Sequence, residues 1–248
     1  MHATAITFDV TGTLIHSPRL AEIYREVLAR HGIAADAADL ARLVPLVWQE
    51  MACSAEMAAD RFTAHPEGAR GWWQRFVERI GEHLGGPPPS PFAAAELFAR
   101  FGRAEAWEVY PEVPEVLASL HRQGFRLGVV SNWDARLPGL LAALGLERHL
   151  DAVVYSAAVG VEKPHPRIFR AVCGELEVDP QVALHVGDRV REDVEGALAV
   201  GMEALLLVRR TAGAGGPPAG DLSDLTPLPE IVVPPRRARA TRAPRTTR

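Results

Sequence analysis

The sequence predicts an α/β protein, a doubly wound parallel sheet of five core strands with an α-helical cap inserted after the first strand. Five short β-branched or apolar runs are typical of strands that are covered on both faces. Stretches with helical spacing separate these runs, and strands that alternate with helices form right-handed crossovers in a parallel sheet. One long interval near the amino end has only helical patterns, which predicts the insert.

The core elements alternate regularly along the chain. The predicted strands cover residues 4–10, 126–130, 152–155, 182–186 and 204–208. The predicted helices of this part cover residues 114–123, 137–144, 166–176 and 192–200. Together these elements assign residues 1–16 and 105–232 to a single core domain.

Residues 17–104 are predicted to form the cap domain. Ala, Leu, Arg and Glu recur there at helical spacing, with helices expected over residues 20–31, 41–50, 72–84 and 92–101. The Gly- and Pro-rich stretch 85–89 separates two of these helices, because neither residue type supports a helix interior. Ligands of open parallel sheets bind at the carboxyl ends of the strands, so an insert at that position is a predicted lid.

The tandem Trp72 and Trp73 is expected in the core of the cap. Neighbouring helical positions differ by about 100° in direction, so the alternative is that one ring faces the active-site cleft. His185 lies within a predicted buried strand and is expected to be a hydrogen-bonded core residue.

Composition narrows the classes of function. The chain has 248 residues, 48% of them hydrophobic, and a net charge of −4. Since no apolar run is long enough to cross a bilayer and no secretory type of leader is present, we expect a cytoplasmic protein. The negative charge disfavours nucleic acid as a partner, and an anionic substrate would need a locally positive pocket. The two cysteines, Cys53 and Cys173, show no metal-type pairing and are expected to be reduced.

Residues 233–248 are predicted to be a disordered tail rich in Arg and Pro. Six arginines lie there among small residues and Pro, a composition that cannot bury apolar surface. The alternative to a solvated tail is an arm that touches RNA or a membrane.

The sequence leaves open whether the protein is a monomer or a homodimer.

Four polar segments lie at or just past the carboxyl ends of predicted strands. They are residues 9–14 (DVTGTL), Ser131-Asn132, Lys163-Pro164, and 187–193, which runs from Gly187-Asp188 to Asp193. Each alone has an ordinary structural explanation as a turn former, a helix cap or a solvated charge. The set supplies complementary chemical parts at one edge of one sheet, which predicts an active site.

Asp9 is the predicted nucleophile toward an organic phosphate. An anion approaching an anion must be screened, and Asp9 and Asp188 are predicted to share a Mg²⁺ ion, with the backbone carbonyl of Thr11 as a third ligand. Gly12 lets the chain turn tightly beside the phosphate, and the hydroxyl of Thr13 is expected to tie that turn.

The other polar residues are predicted to bind the transferring phosphoryl group. Lys163 would supply a positive charge, while the hydroxyl of Ser131 and groups near it, including Asn132, would donate hydrogen bonds. Asp193 is expected to orient the waters of the metal ion or to hold Lys163. The predicted partner is therefore a small phosphorylated molecule.

At these residues the chain resembles the haloacid dehalogenase superfamily, in the subfamily with a helical cap after the first strand. The resemblance covers most of residues 4–232, and the stretches 129–151, 159–169 and 183–202 are similar to the branch of haloacid dehalogenase-like hydrolase domain-containing proteins. It implies a Rossmann-like core and a Mg²⁺-dependent phosphohydrolase that works through an aspartyl-phosphate. Asp9 would be the nucleophile, Ser131 and Lys163 would hold phosphate, and Asp188 would hold the metal.

Thr11 departs from the family pattern. Family phosphatases have a second Asp at this position, which protonates the leaving group and then activates water. A Thr hydroxyl has no pKa near neutrality, and loss of a general acid/base typically costs about 10²- to 10⁴-fold in rate, so slow turnover is expected. Two alternatives remain: a 2-haloacid dehalogenase, whose halide needs no protonation, and a protein that binds a phosphorylated ligand with little or no catalysis.

Overall fold

A five-stranded parallel sheet forms the centre of the computed structural model, which describes residues 1–53, 59–86, 89–209 and 220–233. The strands found there, in chain order, are β1 (Ala5–Phe8), β2 (Ile15–His16), β3 (Glu108–Val109), β4 (Arg126–Ser131), β5 (Ala152–Tyr155), β6 (Ala183–Gly187) and β7 (Glu203–Leu206). The main sheet has the order β5-β4-β1-β6-β7. The predicted fold class, a doubly wound parallel sheet, is confirmed.

The described α-helices include those that cover the two faces of the sheet and those of the insert. They are α1 (Leu20–Arg30), α2 (Ala37–Cys53), α3 (Arg61–Ala64), α4 (Gly68–His83), α5 (Pro91–Phe101), α6 (Val113–Gln123), α7 (Leu137–Ala143), α8 (Ser156–Val159), α9 (Pro166–Glu175), α10 (Gly196–Leu198) and α11 (Leu228–Ile231). On one face Phe8 packs in a cluster with Leu117 of α6, and on the other Ala5 packs in a cluster with Phe169 of α9. Among these helices none is long and apolar enough to span a membrane.

The register of β1 brings the site residues together. Phe8 pairs with Val129 of β4 on one side and with Val186 of β6 on the other. The next residue along β1 is Asp9, whose backbone N–H donates to Val186 at 2.9 Å. The carboxyl ends of β1, β4 and β6 therefore meet at one edge, with β1 in the middle.

Helices α1 to α5 all lie between β2 and β3, the interval assigned above to the cap. They share an apolar cluster of their own that contains Trp72, Trp73, Phe76 and Phe101, and partly buried Trp48 packs against it. We call these five side chains the aromatic cluster. Both Trp72 and Trp73 are buried in it, as the sequence predicts, while the alternative that one ring faces the active-site cleft stays a prediction. The role of this unit as a lid stays a prediction.

Two local predictions needed correction. The sequence pattern missed the antiparallel ribbon of β2 and β3, because two residues in each strand are too few for a periodic signal. The predicted helix over residues 192–200 is instead a π-helical segment, Val190–Glu195, followed by the short α10. The physical reason is that the Asp193 side chain turns inward, where it accepts hydrogen bonds from the backbone N–H of Arg189 and from the ammonium of Lys163.

The predicted tail, residues 233–248, includes one residue that pairs with the core. Val233, its first residue, forms a β-bridge with His2. Residues 234–248 lie outside the described residues, as do residues 87–88 of the predicted break between α4 and α5. The α5 helix begins after Ser90, whose hydroxyl accepts the backbone N–H of Ala93.

Candidate active site

Lys163 links two acidic side chains at the carboxyl edge of the sheet. Its ammonium donates to Oδ1 of Asp9 and to Oδ1 of Asp193, each at 2.6 Å. The hydroxyl of Ser131, at the end of β4, donates to the same Oδ1 of Asp9 at 3.2 Å. All four residues are buried, so these charges are stabilised by one another rather than by water.

A second layer of hydrogen bonds fixes Asp193. His185 of β6 lies 3.2 Å from Oδ1 of Asp193 through Nε2, and its Nδ1 lies 2.9 Å from the hydroxyl of Thr7 on β1. The other carboxylate oxygen, Oδ2, accepts the backbone N–H of Arg189 at 3.0 Å. His185 is therefore the hydrogen-bonded core residue that the sequence predicts, and Asp193 holds Lys163.

Asn132 pairs with the backbone of Lys163. Its Oδ1 accepts the Lys163 N–H at 2.6 Å, and its Nδ2 donates to the Lys163 carbonyl at 3.1 Å. Both ends of the amide side chain are thus engaged in holding the lysine-bearing loop. The predicted contact between Asn132 and phosphate stays a prediction.

The turn after Asp9 has a strict requirement for glycine. Gly12 has a φ of +85°, a left-handed conformation that favours Gly, and a Cβ at this position would collide with the carboxylate of Asp188. The Thr13 hydroxyl is buried but has no hydrogen-bond partner among the described residues. The expectation that this hydroxyl ties the turn is therefore wrong. Thr11 lies exposed at the start of the same turn and forms a β-bridge with Ile15.

The site brings three carboxylates, those of Asp9, Asp188 and Asp193, close to the ammonium of Lys163, so its negative charge is in excess. Burial raises the pKa of Asp9, and the nearby Lys163 only partly offsets this effect. Burial and the charges of Asp9 and Asp193 raise the pKa of Asp188 to about 7. Burial also acts upward on Asp193, but Lys163 and His185 outweigh it and lower the pKa of Asp193 below its usual range. Despite burial, Asp193 and Asp9 raise the pKa of Lys163, so the ammonium stays charged.

This imbalance fits a divalent cation. One carboxylate oxygen from each of Asp9, Asp188 and Asp193 lies within 4.8 Å of the others. Hard ions such as Mg²⁺ take oxygen ligands of this kind, and a cation would replace the proton that Asp188 otherwise holds near pH 7. The donor set therefore fits the predicted metal, while the assignment of the Thr11 carbonyl as a further ligand stays a prediction.

Sequence reasoning missed two arginines that border the site. Arg209, just past β7, donates to the backbone carbonyls of Gly12 and Thr13. Arg61 of α3 forms an ion pair with Glu162, the neighbour of Lys163, at 2.6 Å. Neither arginine lies in a local pattern that differs from a solvated charge, so no signal in the sequence identifies them.

Comparisons with known proteins identify one family of hydrolases. The model of the haloacid dehalogenase-like hydrolase family matches residues 3–201. The human haloacid dehalogenase-like hydrolase domain-containing protein 3 is 32% identical over 82% of this chain and 81% of its own length. A glyceraldehyde 3-phosphate phosphatase of Methanopyrus kandleri is 31% identical over 83% of this chain and 84% of its own.

A solved structure with the same fold is the L-2-haloacid dehalogenase of Xanthobacter autotrophicus. Its TM-score is 0.67 at 22% identity, over 92% of this chain and 98% of that chain. A similarity of this kind shows the fold alone, and folds carry more than one chemistry. The choice of reaction therefore rests on the side chains of the site.

Proposed function

We propose that this chain, which belongs to the haloacid dehalogenase-like hydrolase family, is a Mg²⁺-dependent phosphatase that acts on a small organic phosphate. The observation that carries the proposal is the cluster of Asp9, Asp188 and Asp193, in which Asp9 and Asp193 share the buried ammonium of Lys163. Metal-free dehalogenation has no use for such an excess of carboxylates. The glyceraldehyde 3-phosphate phosphatase among its relatives supports the same reaction class.

Asp9 is the nucleophile of the proposed reaction. Both of its side-chain partners, Lys163 and Ser131, bond to Oδ1, and we assign the attack on phosphorus to Oδ2. The new O–P bond forms as the bond to the alcohol oxygen breaks, which gives an aspartyl-phosphate. Lys163 then faces the transferred group with its positive charge. Mg²⁺, held by Asp9 and Asp188, would neutralise the charge of the phosphate.

Thr11 limits the rate in this proposal. The leaving alcohol needs a proton and the aspartyl-phosphate needs an activated water, and a Thr hydroxyl supplies neither. We expect activated aryl phosphates, whose phenolate leaves without protonation, to be turned over faster than alkyl phosphates.

The helices between β2 and β3, residues 17–104, would act as a lid over the core of residues 1–16 and 105–232.

The first test is phosphate release from an aryl phosphate with Mg²⁺ or with chelator. Asp9→Asn should abolish the Mg²⁺-dependent reaction, a loss of at least about 10⁴-fold for removal of a nucleophile. Asp179→Asn is the matched control, because Asp179 accepts a backbone N–H at the opposite end of β6. Equal turnover in chelator, or full activity in Asp9→Asn, would rule out the proposed mechanism.

A second variant tests the role of Thr11. Thr11→Asp should raise turnover of alkyl phosphates by about 10²- to 10⁴-fold, because it restores a general acid/base. Thr11→Asn has nearly the same shape without the acid and should give no gain. If both variants have wild-type rates, the missing carboxylate does not limit the reaction.

Dehalogenation is the second candidate, and the absence of a carboxylate at Thr11 favours it. It predicts chloride release from 2-chloropropionate that is equal with and without Mg²⁺. A third outcome, tight binding of phosphate without release from any ester, would indicate a phospho-ligand-binding protein.

A further inference from the structure

Arg209 reaches from the far edge of the sheet to the turn beside the nucleophile. It follows β7, two strands away from β1, and its Nε donates to the carbonyl of Gly12 at 3.1 Å. Its Nη2 donates to the carbonyl of Thr13 at 2.6 Å. Glu112 balances the charge by accepting from Nη1 at 2.7 Å. All of these donors come from one planar guanidinium, whose rigid fork fixes the relative position of its acceptors.

The two peptide groups that Arg209 contacts are held from both sides. On the inner side the N–H of Thr13 and the N–H of Leu14 both donate to the carbonyl of Val10, at 3.3 and 2.8 Å. On the outer side the two carbonyls of these same peptides accept from Arg209. Because a peptide unit is planar, fixing both its carbonyl and its N–H fixes its orientation. The turn presses Gly12 against the carboxylate of Asp188, so its position bears on a metal ligand.

The same guanidinium also lies on the connection to the helical insert. Its Cζ is 3.4 Å from the centre of the Tyr110 ring, directly after β3. Tyr110 in turn stacks on His16 of β2, with 4.4 Å between ring centres. The β2–β3 ribbon carries the chain out to α1 and back from α5. One side chain therefore contacts both the nucleophile turn and the ribbon from which the insert extends.

We propose that Arg209 is a positioning residue that fixes the Gly12–Thr13 turn relative to Asp9 and Asp188 and ties it to the β2–β3 ribbon. Arg209 does not touch the reacting atoms in this role. Its kinetic consequence rests on the proposed phosphatase function, whereas its structural consequence does not.

The structural test is hydrogen exchange of the peptide that covers residues 9–16. In Arg209→Ala the amides of this turn should exchange at least about tenfold faster, because the two hydrogen bonds from Arg209 to its carbonyls are lost. Arg126→Ala is the matched control, since Arg126 also donates to a carbonyl, that of Leu176, and to a glutamate, Glu177, at the opposite end of the sheet. Arg209→Lys, which keeps the charge but loses the fork, should lie between wild type and Arg209→Ala.

The kinetic test measures kcat and KM for the aryl phosphate at saturating Mg²⁺. Misplacement of reacting groups by about 1 Å can cost about 10²-fold, so we expect kcat to fall by about ten- to a hundredfold in Arg209→Ala with KM changed less than about twofold. Free guanidinium at millimolar concentration should restore part of the activity of Arg209→Ala. It should not change that of Arg126→Ala.

The outcomes separate this inference from the proposed function. Exchange of residues 9–16 in Arg209→Ala at the wild-type rate would overturn the positioning role, whether or not the protein is a phosphatase. Faster exchange in both alanine variants would overturn it as well, since the effect would then be general loosening. If wild type releases no phosphate, the proposed function fails and the exchange comparison alone decides on Arg209.

Discussion

The site at the carboxyl edge of the sheet and the aromatic cluster of the insert are equally buried from solvent, but different interactions stabilise them. Lys163 in the site and Trp72 in the cluster are each 5% exposed. Lys163 is held by two carboxylates at 2.6 Å, whereas Trp72 packs on Trp48, Phe62 and Phe76 with ring centres 5.1 to 5.3 Å apart. The first arrangement depends on charge and therefore on pH and metal, while the second depends on apolar area and shape.

Two arginines lie between the core and the insert, and each is paired with a carboxylate of the core. Arg61 of the insert pairs with Glu162 of the core, and its guanidinium lies 4.9 Å from the Trp48 ring. Arg136 of the core pairs with Asp134 at 2.6 Å and lies 3.6 Å from the Phe98 ring. In both contacts the charge lies beside an aromatic ring as a paired, planar guanidinium, which lowers the cost of burying it.

The largest effect on stability is expected where the ammonium of the site is removed. Lys163→Met leaves Asp9 and Asp193 without their shared partner and should lower the free energy of unfolding by about 5 kcal/mol at pH 7, the upper end for a broken buried pair. The pKa of Asp193 is lowered from the ordinary value of 3.8, so the pair stabilises the fold above that pH. Urea unfolding of the metal-free proteins should show the deficit shrinking as pH falls below 3.8. A deficit independent of pH would mean that packing, not charge, was lost.

A cavity in the aromatic cluster should behave differently. Phe76 is fully buried against Trp48, Trp72 and Trp73, and Phe76→Ala should lower the free energy of unfolding by about 4 kcal/mol. No titratable group gains or loses a partner, so the loss should be the same at pH 4 and pH 7 and with or without Mg²⁺. A pH-dependent loss would break the proposed contrast between the two regions.

The ion pair between the regions should have an intermediate effect. Arg61→Met removes the hydrogen bonds to Glu162 and should lower the free energy of unfolding by about 2 kcal/mol, as for hydrogen bonds to charged groups. The double variant with Glu162→Gln should recover part of the loss, because no unpaired charge remains. Arg75→Met is the control: its partners Glu78 and Glu82 are on the surface, and no measurable loss of stability is expected. Equal losses in both single variants would mean that the pair has no special role.

The smallest expected effect is the pH dependence of metal binding. Mg²⁺ competes with the proton on Asp188, whose pKa is about 7 in the metal-free site. The affinity for Mg²⁺ measured by calorimetry should therefore rise about tenfold per pH unit up to pH 7 and then level off. Asp188→Asn should lose both the affinity and this dependence. If the Mg²⁺ affinity of the wild type does not change with pH, Asp188 is not a ligand of the metal ion.

Much of the site was predictable because its residues follow strands. The alternation of strand and helix patterns fixes a parallel sheet, and a parallel sheet brings Asp9, Ser131 and Asp188 to one edge whatever the details of packing. The predicted helix over residues 192–200 was wrong, because the backbone around Asp193 is irregular where its side chain turns into the site. The sequence pattern also missed the β2–β3 ribbon, which is too short for a periodic signal.

The sequence by itself determined the fold class, the order of the elements and the acidic and basic groups of the site, since these depend on local patterns and chain order. Only the tertiary structure decided the partners of those groups. Asn132 binds the Lys163 backbone, Arg209 binds a turn 196 residues away, and both tandem tryptophans are buried in the apolar cluster of the insert. Such contacts depend on strand register and on which faces pack, and neither is written in the spacing of residues along the chain.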